Sequence, residues 1–255
     1  MTTFSIVTVV LDDAAGLSRT ADSLECQTFT DFEWIVIDGG SRPENWVEPS
    51  SLKPEPNVFV SERDEGIYDA MNKGWQRATG EWILFLNAGD RLCQDRTLND
   101  VAQNLVDSDA DWAFGLVRNV DASGKVVGIQ NASPFNRMGH ALGNTTVPHQ
   151  ATFMRRNLLD RLDGFRLDCG TIADQELIYR AAIEGLPTEL VWPVADFQID
   201  GRGMQVPATR HVTCMHSARR RQADFYLGNR AMDSAATAAL LVGRTLRPLM
   251  RRLQR

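Results

Sequence analysis

The sequence lacks long apolar runs and the usual glycine-rich nucleotide-binding loops. Its longest hydrophobic stretches are far too short to span a bilayer, and strand-like sequence begins within a few residues of the start. We therefore expect neither a transmembrane helix nor a signal peptide. No Gly-x-Gly-x-x-Gly follows the first predicted strand, and no P-loop motif occurs anywhere in the chain. Their absence disfavours a dinucleotide-dependent dehydrogenase and a P-loop kinase.

Cysteine and histidine are also scarce, with four of each in 255 residues. The cysteines lie far apart and the histidines lack the spacing of zinc ligands, so we expect no structural zinc site. Free thiols in a reducing compartment are the prediction for the cysteines. The residues concerned are Cys26, Cys93, Cys169, Cys214, His140, His149, His211 and His216.

Charge is distributed unevenly along the chain, whose net charge is −6. Residues 218–255 contain nine arginines against two aspartates, a net charge of +7, so the preceding residues carry −13. This asymmetry predicts an acidic partner for the tail, either a membrane surface or a phosphate-rich molecule. It does not by itself indicate nucleic acid, and no nucleic-acid partner is expected.

Apolar runs and helical stripes alternate over the first ninety residues. Continuous runs typical of buried parallel strands occur at residues 4–11, 32–37, 58–60 and 82–86. A stripe with helical spacing covers residues 67–78, before the fourth strand. The alternation predicts an α/β fold with a mostly parallel sheet and helices on both of its faces.

Two of the predicted strands end in polar tips, at Asp38 and at Asn87-Ala88-Gly89-Asp90. Open α/β sheets bind ligands beyond the carboxyl ends of their strands, so Asp38 could contact a base or ribose. The oxygens of the second tip suit Mg²⁺ or Mn²⁺. The structural alternatives are a plain turn at Asp38 and a strand-to-helix turn in which Asp90 bonds its own backbone.

Further carboxylates lie near predicted helix starts, and each also has a structural explanation. Asp64 could cap the helix that follows, and Asp69 with Lys73 forms an i, i+4 pair. Asp174 could act as a general base. Alternatively, it could complete a variant capping box with Thr171.

Five blocks of sequence together resemble family 2 glycosyltransferases. They are SIVTVV, FEWIVIDGGS, SERDEGIYDAMNKGWQRATGEWILFLNAGD, PHQATFMRR and ADQELIYR, spread in this order over residues 4–200. The resemblance implies a GT-A, Rossmann-like fold with a mixed, mostly parallel sheet, flanking helices and a helical C-terminal tail. It also implies an inverting transfer from a UDP- or GDP-sugar, assisted by Mg²⁺ or Mn²⁺. The implied acceptor is a glycan or a lipid-linked molecule of the bacterial cell envelope.

The resemblance assigns roles to residues by position. Asp174 would be the catalytic base and Asp90 the metal ligand, while His149 and Gln150 would line the acceptor or the donor sugar. Asn87 stands where the family has a first carboxylate, so metal affinity would depend more on the bound diphosphate. The donor-binding residues implied are Thr8, Val10, Asp38, Asp64, Asp69, Lys73, Asn87 and Ala88.

The expected organisation is a glycosyltransferase domain over residues 1–217 and a basic helical extension over 218–255. The nucleotide-sugar half would cover about 1–110 and the acceptor half about 111–217. Residues 201–217 are predicted to form a loop in which Gly201-Arg202-Gly203 suits a lid over phosphates. Leucines interleaved with arginines beyond residue 240 predict a basic amphipathic helix. We therefore expect a cytoplasmic protein on the inner face of the membrane.

Two other functions remain open from the sequence. One is an inactive nucleotide-sugar-binding or scaffold protein of the same fold, which the loss of a carboxylate at Asn87 would permit. Asp38, Asp90 and Asp174, all present, favour the enzyme. The other is a nucleotidyltransferase, which would need a basic, glycine-rich loop after the first strand. Residues 12–16 are acidic instead.

Overall fold

The computed structural model of the chain describes residues 2–199 and 208–253, the side chains of residues 208 and 246–253 excepted. The strands are β1 Phe4–Val10, β2 Phe32–Asp38, β3 Val58–Ser61, β4 Trp82–Phe85, β5 Arg91–Leu92, β6 Trp112–Val120, β7 Val126–Gln130, β8 Thr152–Arg155 and β9 Thr188–Gln198. The α-helices are α1 Ala14–Glu25, α2 Ile67–Trp75, α3 Thr97–Leu105, α4 Arg137–Ala141, α5 Arg156–Leu162, α6 Ala173–Glu184, α7 Ala208–Arg221 and α8 Arg230–Leu253.

The strands form one mixed sheet in the order β3-β2-β1-β4-β8-β6-β9-β5, and β7 pairs with β6. The first four strands in this order are parallel to one another, as the alternation of elements predicts. Strand β8 runs antiparallel to both β4 and β6. The reversal at β8 makes the sheet mixed and separates the parallel first half from the second half.

Helices cover both faces of the sheet, and β1 shows how its side chains divide between them. All seven residues of β1 are buried. Val7 belongs to the core on the α2 side, together with Met71. Ile6 belongs to the core on the α1 side, together with Leu17. Helix α2 approaches β1 closely because Gly74 has no side chain, and a Cβ at this position would meet the Val7 side chain.

Helices α7 and α8 pack together and are fixed to each other by a buried ion pair. Nε of Arg219 lies 2.6 Å from Oδ1 of Asp233, and Nη2 donates to the Thr237 hydroxyl at 2.8 Å. Both charged side chains are almost completely buried. Arg219 therefore lies inside the protein and not on a solvated helix face.

The loop predicted over residues 201–217 is wrong from residue 208 onward, because those residues form the start of α7. The predicted boundary between residues 217 and 218 falls inside this helix. Gly201-Arg202-Gly203 lies outside the described residues. Helix α8 extends over 24 residues, and within the described chain no helix combines the length and apolarity needed to cross a bilayer.

Two of the four cysteines are paired, which corrects the prediction that all are free thiols. Cys169 and Cys214 form a disulfide with their Cα atoms 5.8 Å apart. The bond joins the segment before α6 to helix α7, elements that are 45 residues apart in sequence. Cys26 and Cys93 are free.

Candidate active site

A cavity of about 730 Å³ opens at the carboxyl ends of β1 and β4. The chain leaves β1 and β4 into α1 and the Asn87–Asp90 turn, and the opposite wall comes from residues 146–150 and the start of α6. Strand β1 pairs with β2 on one side and with β4 on the other. The cavity therefore lies where the strand order reverses its direction along the sheet. Such points are where open α/β sheets bind ligands.

Seven of the twelve site residues predicted from the sequence line this cavity. They are Val10, Asn87, Ala88, Asp90, His149, Gln150 and Asp174. The other five lie outside its lining. They are Thr8, Asp38, Asp64, Asp69 and Lys73.

Asp174 lies in the first turn of α6 and is linked across the cavity wall to Asn87 by His149. Nδ1 of His149 is 3.3 Å from Oδ2 of Asp174, and Nε2 is 3.1 Å from the Asn87 side-chain nitrogen. Gln175 also donates to Oδ2 of Asp174 at 2.9 Å. Burial opposes ionisation of Asp174, but the hydrogen bonds from His149 and Gln175 hold its pKa below the usual range. The carboxylate is therefore ionised near neutral pH.

The capping alternative for Asp174 does not describe this helix start. The N-cap of α6 is Ile172, and no side chain caps it. The Thr171 hydroxyl is buried and has no hydrogen-bond partner among the described residues. The Thr171 carbonyl instead accepts a hydrogen bond from the Tyr68 hydroxyl at 3.2 Å, which ties α2 to the segment before α6.

Asp90 is buried beneath the turn that ends β4. Only 4% of its surface is exposed, and burial raises its pKa to about 7, although nearby His149 and a hydrogen bond from Gln150 act in the opposite direction. The turn is held against α1 by the Thr20 hydroxyl, which donates to the Asp90 carbonyl at 2.8 Å. Burial therefore makes Asp90 easier to protonate than an exposed carboxylate.

At the turn after β4, two side chains offer oxygen ligands for the expected Mg²⁺ or Mn²⁺. They are the Asp90 carboxylate and Oδ1 of Asn87, which is buried and has no hydrogen-bond partner in the described part of the chain. Residues 2–199 and 208–253 contain no group of three or more Asp, Glu, His or Cys side chains placed to hold a metal ion. Magnesium requires about six ligands, so most would have to come from a bound diphosphate and water. The metal therefore remains a prediction.

Asp38 is almost completely buried, and its carboxylate is occupied by neighbouring hydroxyls. Its oxygens accept from the Ser41 hydroxyl at 2.5 Å and from the Ser61 hydroxyl at 2.6 Å. These bonds join the ends of β2 and β3 and shape the loop after β2. Thr8 is likewise directed into the core, where its hydroxyl accepts from Nε1 of Trp34 at 2.9 Å.

Lys73 and Asp69 form the predicted i, i+4 pair at 3.2 Å, on a partly exposed face outside the cavity. Lys73 also donates to the Arg63 carbonyl at 2.9 Å. Asp64 does not cap α2 with its side chain, since the N-cap is Gly66 and has no such bond. Oδ1 of Asp64 accepts from the Gly66 amide at 2.9 Å. These contacts order the loop that leads into α2.

Sequence reasoning missed several residues of the cavity wall. Arg19 projects from α1, and Tyr68 contributes from α2. Arg19 is off the apolar stripe of its helix, so the hydrophobic pattern assigns it to solvent. The other polar side chains missed are Asp12, Asp13, Gln130, Thr146, Thr171, Gln175 and Gln198.

The fold is the GT-A fold that the sequence resemblance implies. The structure of Staphylococcus aureus TarS residues 1–349 in complex with UDP-GlcNAc matches with a TM-score of 0.70 at 18% identity, covering 96% of this chain and 72% of that one. The mannosyltransferase PcManGT of Pyrobaculum calidifontis, in complex with GDP-Man and Mn²⁺, matches with a TM-score of 0.61 at 17% identity. That match covers 95% of this chain and 72% of the mannosyltransferase.

Residues 5–178 match the model of glycosyl transferase family 2, and the chain belongs to this family. It is 33% identical over 205 residues to an uncharacterized glycosyltransferase of Mycobacterium tuberculosis, covering 79% of this chain and 77% of the relative. It is also 33% identical over 181 residues to a PGL/p-HBAD biosynthesis glycosyltransferase of Mycobacterium bovis, covering 69% and 68%.

Proposed function

We propose that the protein is an inverting glycosyltransferase that moves a sugar from a UDP- or GDP-sugar to a hydroxyl of a glycan or lipid-linked acceptor. Membership of the family supports sugar transfer. The complexes of structurally similar proteins with UDP-GlcNAc and GDP-Man support the class of donor. The relative named for PGL/p-HBAD biosynthesis supports a biosynthetic role, which we place in cell-envelope polysaccharide or glycolipid synthesis.

The observation that carries the proposal is the position of Asp174 opposite the turn at the end of β4. Asp174 lines one wall of the cavity, and Asn87 and Asp90 line the other. The donor would lie along the ends of β1 and β4, and the acceptor would enter beside α6. A base and a donor site facing a common space are what a single displacement requires.

In this arrangement the chemistry needs one proton acceptor. As the acceptor hydroxyl attacks the anomeric carbon, its proton passes to the carboxylate of Asp174. The bond between that carbon and the diphosphate oxygen breaks, and its electron pair departs with the nucleoside diphosphate. Attack on the face opposite the leaving group inverts the configuration. The lowered pKa of Asp174 keeps it in the required ionised form.

The test replaces Asp174 with Asn and measures nucleoside diphosphate release and donor binding separately. General bases contribute about 10²- to 10⁴-fold, so transfer should fall by that factor. Donor binding should persist as a thermal shift, since ligand at about a hundredfold excess over Kd stabilises the folded state by about 2.7 kcal/mol. Asp160→Asn on the exposed face of α5 serves as the control. Full activity in Asp174→Asn would remove Asp174 from the mechanism.

The proposal extends to location: a cytoplasmic protein held on the inner membrane face by its C-terminal extension. Helix α8 carries Val242 in an exposed position and continues to Leu253. Its last turns contain Arg247, Arg251 and Arg252. A basic amphipathic helix of this kind binds anionic lipid, which would bring the enzyme to a lipid-linked acceptor.

A further inference from the structure

Arg19 places a guanidinium group in the wall of the cavity beside the turn at the end of β4. It projects from α1, one residue before Thr20, whose hydroxyl holds that turn in place. A Cβ added at Gly89 would stand 3.7 Å from Nη2 of Arg19. The guanidinium thus lies next to Gly89, at the place where the proposed donor would present its diphosphate.

This arginine has no partner among the described residues. Its Nε is buried and lacks a hydrogen-bond acceptor, and the described residues give Arg19 neither a hydrogen bond nor an ion pair. Among the described residues no nearby carboxylate forms an ion pair with Arg19, although Oδ2 of Asp13 lies 4.0 Å from the same Cβ position at Gly89. Asp12 pairs with Arg42 at 3.0 Å, and Asp13 accepts from the Gly16 amide at 2.8 Å. An unpaired charge with a buried donor atom is costly unless an anion arrives to complete it.

The charge balance of the cavity points to the same site. Four aspartates line it, and within the described part of the chain Arg19 is the only lysine or arginine that does so. The aspartates are Asp12, Asp13, Asp90 and Asp174. The ionised aspartates among them repel a diphosphate, whereas Arg19 attracts it. The neighbouring Gly89 leaves the space beside the guanidinium open, because any side chain there would enter it.

We propose that Arg19 binds the diphosphate of the donor, and that this guanidinium rather than a bound divalent cation supplies the main positive charge for it. The inference rests on the proposed function. A guanidinium offers several N–H donors in a fixed plane that match phosphate oxygens. The same contacts stabilise the charge that the departing nucleoside diphosphate gains as the bond to the sugar breaks.

The test measures the affinity of the full-length protein for UDP and GDP, and for UMP and GMP, by calorimetry. Each titration is done in EDTA and again with Mn²⁺. The variants are Arg19→Gln, which removes the charge, and Arg19→Lys, which keeps it without the planar fork. Arg77→Gln is the matched control, because Arg77 is exposed after α2 and bonds only the Lys73 carbonyl among the described residues.

We expect the wild-type protein to bind its nucleoside diphosphate in EDTA. Arg19→Gln should weaken that binding roughly tenfold to a hundredfold, the range for a lost hydrogen bond to a charged group. The monophosphate should lose less, Arg19→Lys should recover part of the affinity, and Arg77→Gln should match the wild type. Unliganded melting temperatures verify that the variants fold.

Two results would overturn the inference while leaving the proposed function intact. One is unchanged diphosphate affinity in Arg19→Gln, and the other is wild-type binding that requires Mn²⁺. If the wild-type protein binds neither UDP nor GDP in either buffer, the proposed donor class fails, and the role of Arg19 fails with it.

Discussion

Nδ1 of His149 lies 3.3 Å from Oδ2 of Asp174, so this nitrogen donates a hydrogen bond to the carboxylate. Nε2 lies 3.1 Å from the side-chain nitrogen of Asn87, on the other side of the ring. His149 therefore couples the orientation of Asp174 to the turn at the end of β4 and would position it as the proposed base.

Replacing His149 with Ala should lower kcat and move the acidic limb of the pH profile of kcat/KM upward. The reason is that burial raises the pKa of Asp174, while the hydrogen bond from His149 lowers it. Losing a hydrogen bond to a charged group costs about 1.5–3 kcal/mol. This corresponds to a rise in the pKa of roughly one to two units. Rate measurements from pH 4 to 8 test this, and an unmoved limb would contradict the coupling.

The parallel half of the fold is predictable from sequence because it depends on local pattern. Strands β1, β2 and β4 are continuous apolar runs, and helix α2 has a regular stripe before β4. The antiparallel insertion of β8 between β4 and β6 is not predictable in this way. Thr152–Arg155 is a short run whose direction is set by pairing with distant strands.

The site is predictable where a polar residue follows a strand and also faces the cavity. Asp90 meets both conditions, whereas Asp174 faces the cavity from the first turn of helix α6. Asp38 meets only the first, because its carboxylate accepts from hydroxyls in the loop after β2 and at the end of β3. Arg19 gives no signal in a hydrophobic pattern, and its importance appears only when α1 is placed beside Gly89.

Replacing Asp233 with Ala should destabilise the protein strongly. It would leave Arg219 as a buried, unpaired charge, and breaking one side of such a pair costs about 3–5 kcal/mol. Urea unfolding measures the change. Asp100→Ala is the control, since its pair with Arg96 is exposed and contributes at most about 1 kcal/mol. Equal effects of the two substitutions would show that α7 and α8 do not depend on the buried pair.

His211 should make the folded state less stable as the pH falls from about 6.5 toward 4. Burial, the charge of Arg244 and the proximity of His140 lower the pKa of His211 to about 4. An unfolded chain takes up this proton near pH 6.5, so it binds more protons than the folded state across that window. The folded state loses about 3 kcal/mol of stability as the pH falls from about 6.5 to about 4. This stability is fully present above about pH 7.

The corresponding variant is His211→Gln, with unfolding measured at pH 7.5 and pH 5. The wild-type protein should lose more stability between the two values than the variant does. The variant should retain some dependence, because burial also lowers the pKa of His140. An identical loss in both proteins would exclude His211 as the titrating group.

The C-terminal extension should bind vesicles that contain anionic lipid, and its last ten residues should be required. Those residues include Arg247, Arg251 and Arg252. Each arginine near an anionic surface contributes about 1 kcal/mol, so changing these three to glutamine should weaken binding by roughly a hundredfold. Co-sedimentation with phosphatidylglycerol vesicles in low and high salt measures the loss, and phosphatidylcholine vesicles are the control.

Undiminished binding after removal of residues 246–255 would locate any membrane contact elsewhere on the protein. The truncation ends just after Arg244, whose side chain donates to the Gly143 carbonyl, so this contact between α8 and the segment after α4 is preserved.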